Sequence, residues 1–302
     1  MYNKTLEFLL ADDPKKTIST FGIRIRKTLY PVFRFAIPKT LKRRLVLVSK
    51  GEYSRKDPVI FVSTHEFRED VEAAYMAACK PSYIVNGCPS IILNTFDGIT
   101  NWLVGIILVD RANKDSRESV KKKMIYALQK GASIIIYPEG TWNKSPNQVI
   151  SGLFPGVYVV AKATGAKVVA MAHQRERDVV YSKVGDAFDI SYMNQADAME
   201  TIKEHMATLK YELIEEYGQC TRTEFPNSKD AVIFWKNHVD ELMAEVPFYD
   251  YELEKHTKYV EKDVTLPKDA FSFFLTMKPS MNNAFLYRWN DHLWIDSTCK
   301  KA

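Results

Sequence analysis

The 302-residue sequence has no apolar run approaching the roughly 18 residues that suggest a membrane-spanning helix; the strongest stretch, Trp102 to Val109, is far shorter. Nor does the opening segment resemble a secretory signal, since its six-residue stretch LEFLLA soon meets two aspartates. The four cysteines, Cys79, Cys88, Cys220 and Cys299, are widely spaced and form no C-x-x-C pair. That argues against a disulfide framework or a thiolate metal site and fits a reducing, cytoplasmic compartment. There is no G-x-S-x-G elbow, no Walker loop and no G-x-G-x-x-G turn, which disfavours serine-based hydrolysis and nucleotide-driven chemistry. Internal repeats and low-complexity tracts are also missing.

What is present is enough apolar sequence, 46%, for one substantial core with an appended smaller unit. Charge is unevenly placed. Residues 14 to 50 hold eleven Lys or Arg and no acid, leaving 31 basic against 37 acidic residues elsewhere, a net of minus six. Within that segment Ile18, Phe21, Ile25, Leu29, Val32 and Ala36 recur at helical spacing, with Lys16, Lys27 and Arg34 opposite and Pro31 placed to kink the helix. Such a basic amphipathic helix can lie in the interface of an anionic bilayer, and the same pattern also suits a helix packed on the core. Attraction to a nucleic-acid backbone is the weaker reading, because the segment is very apolar and no helix-turn-helix, zinc-finger or RNP-type pattern accompanies it. No nucleic-acid partner is expected.

From about residue 57 short apolar strands alternate with helical stretches. Strands are expected over Val59 to Ser63, Tyr83 to Val85, Gly105 to Val109, Ser133 to Tyr137, Lys167 to Ala172 and Val179 to Val184; helices over Asp70 to Cys79, Ser116 to Gln129, Gly156 to Thr164 and Ala198 to Tyr217. Alternation of this kind predicts an α/β sheet, and runs such as Ile134-Ile135-Ile136 suit a sheet covered on both faces.

Ligands of α/β proteins tend to sit beyond the carboxyl ends of strands, and three segments there carry chemistry. Thr64-His65-Glu66-Phe67-Arg68-Glu69-Asp70 follows the first core strand as an H-x-x-x-x-D pair. An imidazole can take a proton from a hydroxyl while a carboxylate fixes its tautomer, provided His65 sits on the turn before the helix. A surface histidine beside a helix cap gives the same spacing. Zinc is a poor reading, since Glu69 stands where an H-E-x-x-H site needs its second histidine. Gly105 to Arg111 ends in an acid and an arginine able to grip a phosphate, or simply to pair locally. Glu139-Gly140-Thr141 offers a carboxylate, a bare backbone N–H and a hydroxyl in a tight turn.

Taken together, these segments resemble the lysophospholipid and glycerol-phosphate acyltransferase family, often called PlsC-like: His65 to Asp70 matches its H-x-x-x-x-D block, Gly105 to Arg111 its G-x-x-F-[IV]-D-R block with Leu108 for Phe, and Glu139 to Thr141 its E-G-T block. The resemblance spans roughly residues 45 to 215. It implies a mixed, largely parallel sheet flanked by helices, with His65 and Asp70 as catalytic base and orienting carboxylate and with Arg111, Glu139, Gly140 and Thr141 binding the acceptor. It further implies an acyl thioester donor, acyl-CoA or acyl-carrier protein, a lipid-like acceptor hydroxyl, a role in phospholipid biosynthesis and no cofactor. The sequence departs from the pattern at Trp142, where the family has an arginine, and at Lys167 and Ala170, where its fourth block would carry prolines.

The expected organisation is a basic membrane-association segment over 1–50, an acyltransferase domain over 51–218 and an aromatic-rich extension over 219–302. That extension holds 14 aromatics, among them Phe271, Phe273, Phe274, Trp289 and Trp294. The protein is expected at the cytoplasmic face of a membrane, as a peripheral enzyme. The competing readings are a lipid-binding protein without turnover and an acyltransferase for an acceptor lacking phosphate, the latter accounting for Trp142. The other histidines, including His173 and His205, have no comparable companions and read as surface or structural residues.

Overall fold

The computed structural model describes residues 10–87, 103–111, 113–144, 148–218, 225–245, 276–281 and 283–284. Phe271, Phe273, Phe274, Trp289, Trp294, Trp102 and the cysteines other than Cys79 lie outside them. The chain runs α1 (Pro14–Thr17), α2 (Thr20–Thr40), β1 (Arg44–Lys50), β2 (Ile60–Ser63), α3 (Asp70–Ala77), β3 (Ser82–Asn86), β4 (Ile106–Leu108), α4 (Lys114–Gln129), β5 (Ser133–Ile136), α5 (Gly156–Thr164), β6 (Val168–Glu176), β7 (Val179–Phe188), α6 (Gln195–Tyr217) and α7 (Ser228–Ala244).

The strands form one seven-stranded sheet in the order β1-β7-β6-β2-β5-β3-β4. All neighbouring pairs are parallel except the β6–β7 hairpin, giving a mixed, largely parallel sheet. Strand side chains alternate between faces, so one face of the central strands carries Phe61, Ile84, Ile135, Val169 and Met171, packed under α3 and part of α2. The opposite face carries Ile60, Val62, Tyr83, Val85, Ile134, Val168 and Ala170 under α4, α5 and α6. Burial on both sides explains the uninterrupted apolar strands.

Strand β1 departs from the sequence reading, which leaves 44–50 inside the basic segment. Its pattern Arg-Leu-Val-Leu-Val-Ser-Lys is half-exposed at the sheet edge and pairs with β7, which together with β6 runs longer than the hydropathy pattern indicates. The charged ends of these strands hide them from an apolar-run criterion.

Helix α2 continues through Pro31 and Pro38. It buries Ile23, Tyr30 and Ile37, spaced seven apart, while Phe21, Ile25, Leu29, Val32, Phe35 and Ala36 face solvent; Phe21 is 73% and Phe35 69% exposed. The apolar stripe read from the sequence is therefore the outward face, apart from Ile18, which is buried. No helix among the described residues is long and apolar enough to cross a membrane.

Helix α7 is tied to the body by charge. Glu245 at its end pairs with Arg175 of β6 at 2.7 Å and with Arg43 at 3.1 Å, and Arg43 also pairs with Glu69 at the N-cap of α3.

Candidate active site

The parallel strands β2, β5, β3 and β4 deliver their following turns to one edge of the sheet, so His65, Glu139, Gly87 and Arg111 share that edge. After Ser63 the chain leaves β2 and turns before α3 begins at Asp70, which puts His65 on the turn and Asp70 in the first helical position. Because the turn is not helical, the side chains meet despite a spacing of five. His65 Nδ1 lies 2.9 Å from Asp70 Oδ1 and 3.0 Å from Oδ2.

Asp70 is fully buried and also accepts the backbone N–H groups of Glu66, at 2.6 Å, and Phe67, at 3.1 Å, through Oδ2. With its oxygens accepting these N–H groups, Asp70 serves as an acceptor toward the imidazole too, so Nδ1 carries the imidazole proton. The Nε2 lone pair is then left to accept a proton. The His65 side chain keeps 19% of its surface open, against 1% for Asp70.

The turn after β5 grips His65 from the other side. Glu139 Oε1 faces the His65 N–H at 3.4 Å, and the N–H of Asn143 donates to the His65 carbonyl at 2.6 Å. The imidazole lies against Tyr137 with 4.5 Å between centroids, and Trp142 meets it edge-on at 6.0 Å. Gly140 makes this turn possible, because its φ of +72° is left-handed and a Cβ there would come 2.5 Å from the Phe154 ring. Thr141 follows it, half-buried.

Glu139 itself is buried, and its Oε2 accepts from the Ser151 N–H at 2.9 Å and the Ser151 hydroxyl at 2.8 Å. Burial lifts its carboxyl to about 7, with the Ser151 hydrogen bonds pulling the other way. Burial also raises the Tyr137 phenol well above its ordinary range.

Arg111 stands apart from this cluster. Its strand is three places from β2 in the sheet, about 14 Å at normal strand spacing. Its side chain crosses Gly87, where a Cβ would meet Nε at 2.8 Å, and its carbonyl accepts from Arg117 at 2.5 Å. The sequence-derived residues thus form a tight group of His65, Asp70, Glu139, Gly140 and Thr141, with Arg111 farther along the same edge.

Beneath the turn lies a polar layer that sequence reading does not single out. His173 of β6 is completely buried, with Nδ1 2.8 Å from Ser182 Oγ and Nε2 3.0 Å from Ser63 Oγ, and its N–H donates to the Thr64 hydroxyl at 3.1 Å. Burial pushes the imidazole down to about 4, so it is neutral and structural, and it is not on the surface. Lys210 of α6 reaches the same region and contacts Glu66. Its signal in the sequence is a lysine in line with Ala198, Ile202 and Met206 on the apolar face of a helix. No potential metal-binding group of three or more His, Cys, Asp or Glu occurs among the described residues.

The acyltransferase family model matches residues 45–180. A 1-acyl-sn-glycerol-3-phosphate acyltransferase of Haemophilus influenzae is 26% identical over 161 residues, covering 51% of this chain and 61% of the relative. The chain therefore spans about three-fifths of the length of that curated relative. The solved 1-acyl-sn-glycerophosphate acyltransferase PlsC of Thermotoga maritima superposes with a TM-score of 0.42 at 14% identity, over 66% of this chain and 96% of that one. The segment 45–180, which holds His65, Asp70, Arg111 and the Glu139 turn, is thus similar to the acyltransferase family.

Proposed function

We propose that the protein transfers a fatty acyl group from a thioester, acyl-CoA or acyl-carrier protein, to a hydroxyl of a lysophospholipid-like or glycerol-phosphate acceptor. The observation that carries this is the His65–Asp70 pair: an imidazole held through Nδ1 by a buried carboxylate, at a strand end, inside the segment that matches the family. His65 Nε2 takes the acceptor's hydroxyl proton as the oxygen attacks the thioester carbonyl carbon. The tetrahedral intermediate then collapses, the C–S bond breaks, and the leaving sulfur takes the proton back from Nε2. Ester and free thiol result, with no acyl-enzyme, in keeping with a sequence that has no nucleophile elbow.

On this reading Arg111 binds acceptor phosphate, while Glu139, Gly140 and Thr141 shape the acceptor side of the site. Gly140 and Glu139 do so by fixing the turn that holds His65. The outward apolar stripe of α2, with Arg24 and Lys39 also exposed on that helix, supports docking at an anionic membrane surface on the cytoplasmic side. Trp142 favours a second reading of the acceptor: a buried indole in contact with His65 provides an apolar wall where a cation would receive phosphate, which suits an acceptor lacking that group.

The test is thiol release from palmitoyl-CoA by the purified chain with vesicles and a panel of lysophospholipid, glycerol-phosphate and unphosphorylated lipid-alcohol acceptors. Release that depends on one acceptor class supports the function and assigns the class. No acceptor-dependent release with palmitoyl-CoA or with acyl-carrier protein as donor would replace it with lipid binding without turnover.

A further inference from the structure

The buried face of α6 reads Ala198, Ile202, Met206, Lys210 and Leu213. An ammonium in that series is unfavourable unless it is fully paired. Its three N–H groups are matched by three acceptors: Glu66 Oε2 at 2.7 Å, the His173 carbonyl at 2.7 Å and Gln174 Oε1 at 2.9 Å. Glu66 lies inside the turn between His65 and Asp70, and its own N–H donates to Asp70 Oδ2 at 2.6 Å. Lys210 therefore holds the side chain of the residue whose backbone holds the carboxylate that orients His65. Through His173 and Gln174 it fastens that turn to β6. It lies outside the segment 45–180.

We propose that Lys210 is a positioning residue for the His65–Asp70 turn, fixing it to β6 through Glu66 and balancing the Glu66 charge beside His65. The proposal rests on His65 acting as the base. Burial raises the Glu66 carboxyl above its ordinary range, with Lys210 pulling the other way. Glu66 is faced by Lys210 from α6, by His65 and Asp70 from its own turn and by Glu139 from the turn after β5. His65 is faced by Asp70, Glu66, Glu139 and, from β6, the neutral His173. Replacing the Glu66 carboxylate by an amide weakens its hold on Lys210 and so loosens the turn on β6.

The test combines NMR of the His65 imidazole with acceptor-dependent thiol release in wild type, Glu66→Gln and Lys210→Met. Glu66→Gln, which exchanges a charged acceptor of Lys210 for a neutral one, should broaden the His65 Nδ1–H resonance and lower kcat severalfold with KM little changed. Folded Lys210→Met should lose or broaden the His65 Nδ1–H resonance, with kcat falling about tenfold or more and KM little changed. A lysine that only stabilised the fold would lower the unfolding temperature and leave these signals in place. Wild-type kcat and Nδ1–H signal in folded Lys210→Met overturn the proposal, as do wild-type values of both in Glu66→Gln. Should Lys210→Met not fold, the Nδ1–H signal and kcat of Glu66→Gln decide alone. If the resonances respond as expected while wild type transfers no acyl group, the catalytic reading fails and the positioning of the turn stands.

Discussion

Replacing Glu139 by glutamine should change how stability depends on pH more than it changes stability at any one pH. The carboxyl is 2% exposed and burial carries it from 4.5 to about 7. That displacement corresponds to about 3 kcal/mol. Below pH 4.5 the group is protonated in folded and unfolded chains alike, and its contribution is fully present. Between 4.5 and 7 the unfolded chain releases its proton first, so stability falls as pH rises and levels off above 7. Glutamine cannot titrate. Its amide donor would face either the His65 N–H or the Ser151 donors, a mismatch of about 1–3 kcal/mol, but that offset is the same at every pH. Urea unfolding of both proteins at pH 4, 5, 6, 7 and 8 separates the effects. Wild type should lose about 3 kcal/mol relative to Glu139→Gln between pH 4 and 8. A constant difference across the series would show that Glu139 does not hold its proton in the folded state and that burial does not govern its titration.

His173 should act in the opposite sense: its imidazole is lowered from 6.5 to about 4, so stability is lost as pH falls through that window, by about 3 kcal/mol, and His173→Asn should abolish the loss in the same urea series. Asp70→Asn should lower kcat about a thousandfold with the fold retained, because one carbonyl cannot accept from His65 and from the Glu66 and Phe67 N–H groups as the carboxylate does; steady-state thiol release measures it. Phe21→Asp combined with Val32→Asp should abolish co-sedimentation with anionic vesicles while leaving the unfolding temperature within a degree or two, because both side chains are exposed on α2. Unchanged sedimentation would remove the membrane assignment from this helix.

How much of this was legible in the sequence depends on how local the signal is. The central strands are continuous apolar runs and the helices between them have clean periodicity, so an α/β sheet could be read directly, although its strand order could not. The pairing of His65 with Asp70 could be anticipated because both belong to one short turn. The polar layer under it could not, since Lys210 lies 144 positions from its partner Glu66 and His173 lies 110 from Ser63. Such contacts arise only when β6 and α6 are laid against β2. The direction of α2 is a similar case: helical spacing found an apolar stripe, but Ile23, Tyr30 and Ile37 form a second one, and packing alone decides which is buried. Edge strand β1 escaped notice because its ends are charged and only one partner strand covers it.

The central claim is that His65 is the base for direct acyl transfer to a hydroxyl. Mass spectrometry of the lipid products formed by wild type and by His65→Ala, at equal protein and with the folded state of each checked by circular dichroism, measures it directly. Acylated acceptor from wild type and none above background from His65→Ala is the expected result. Equal product from both would place the proton-accepting group elsewhere.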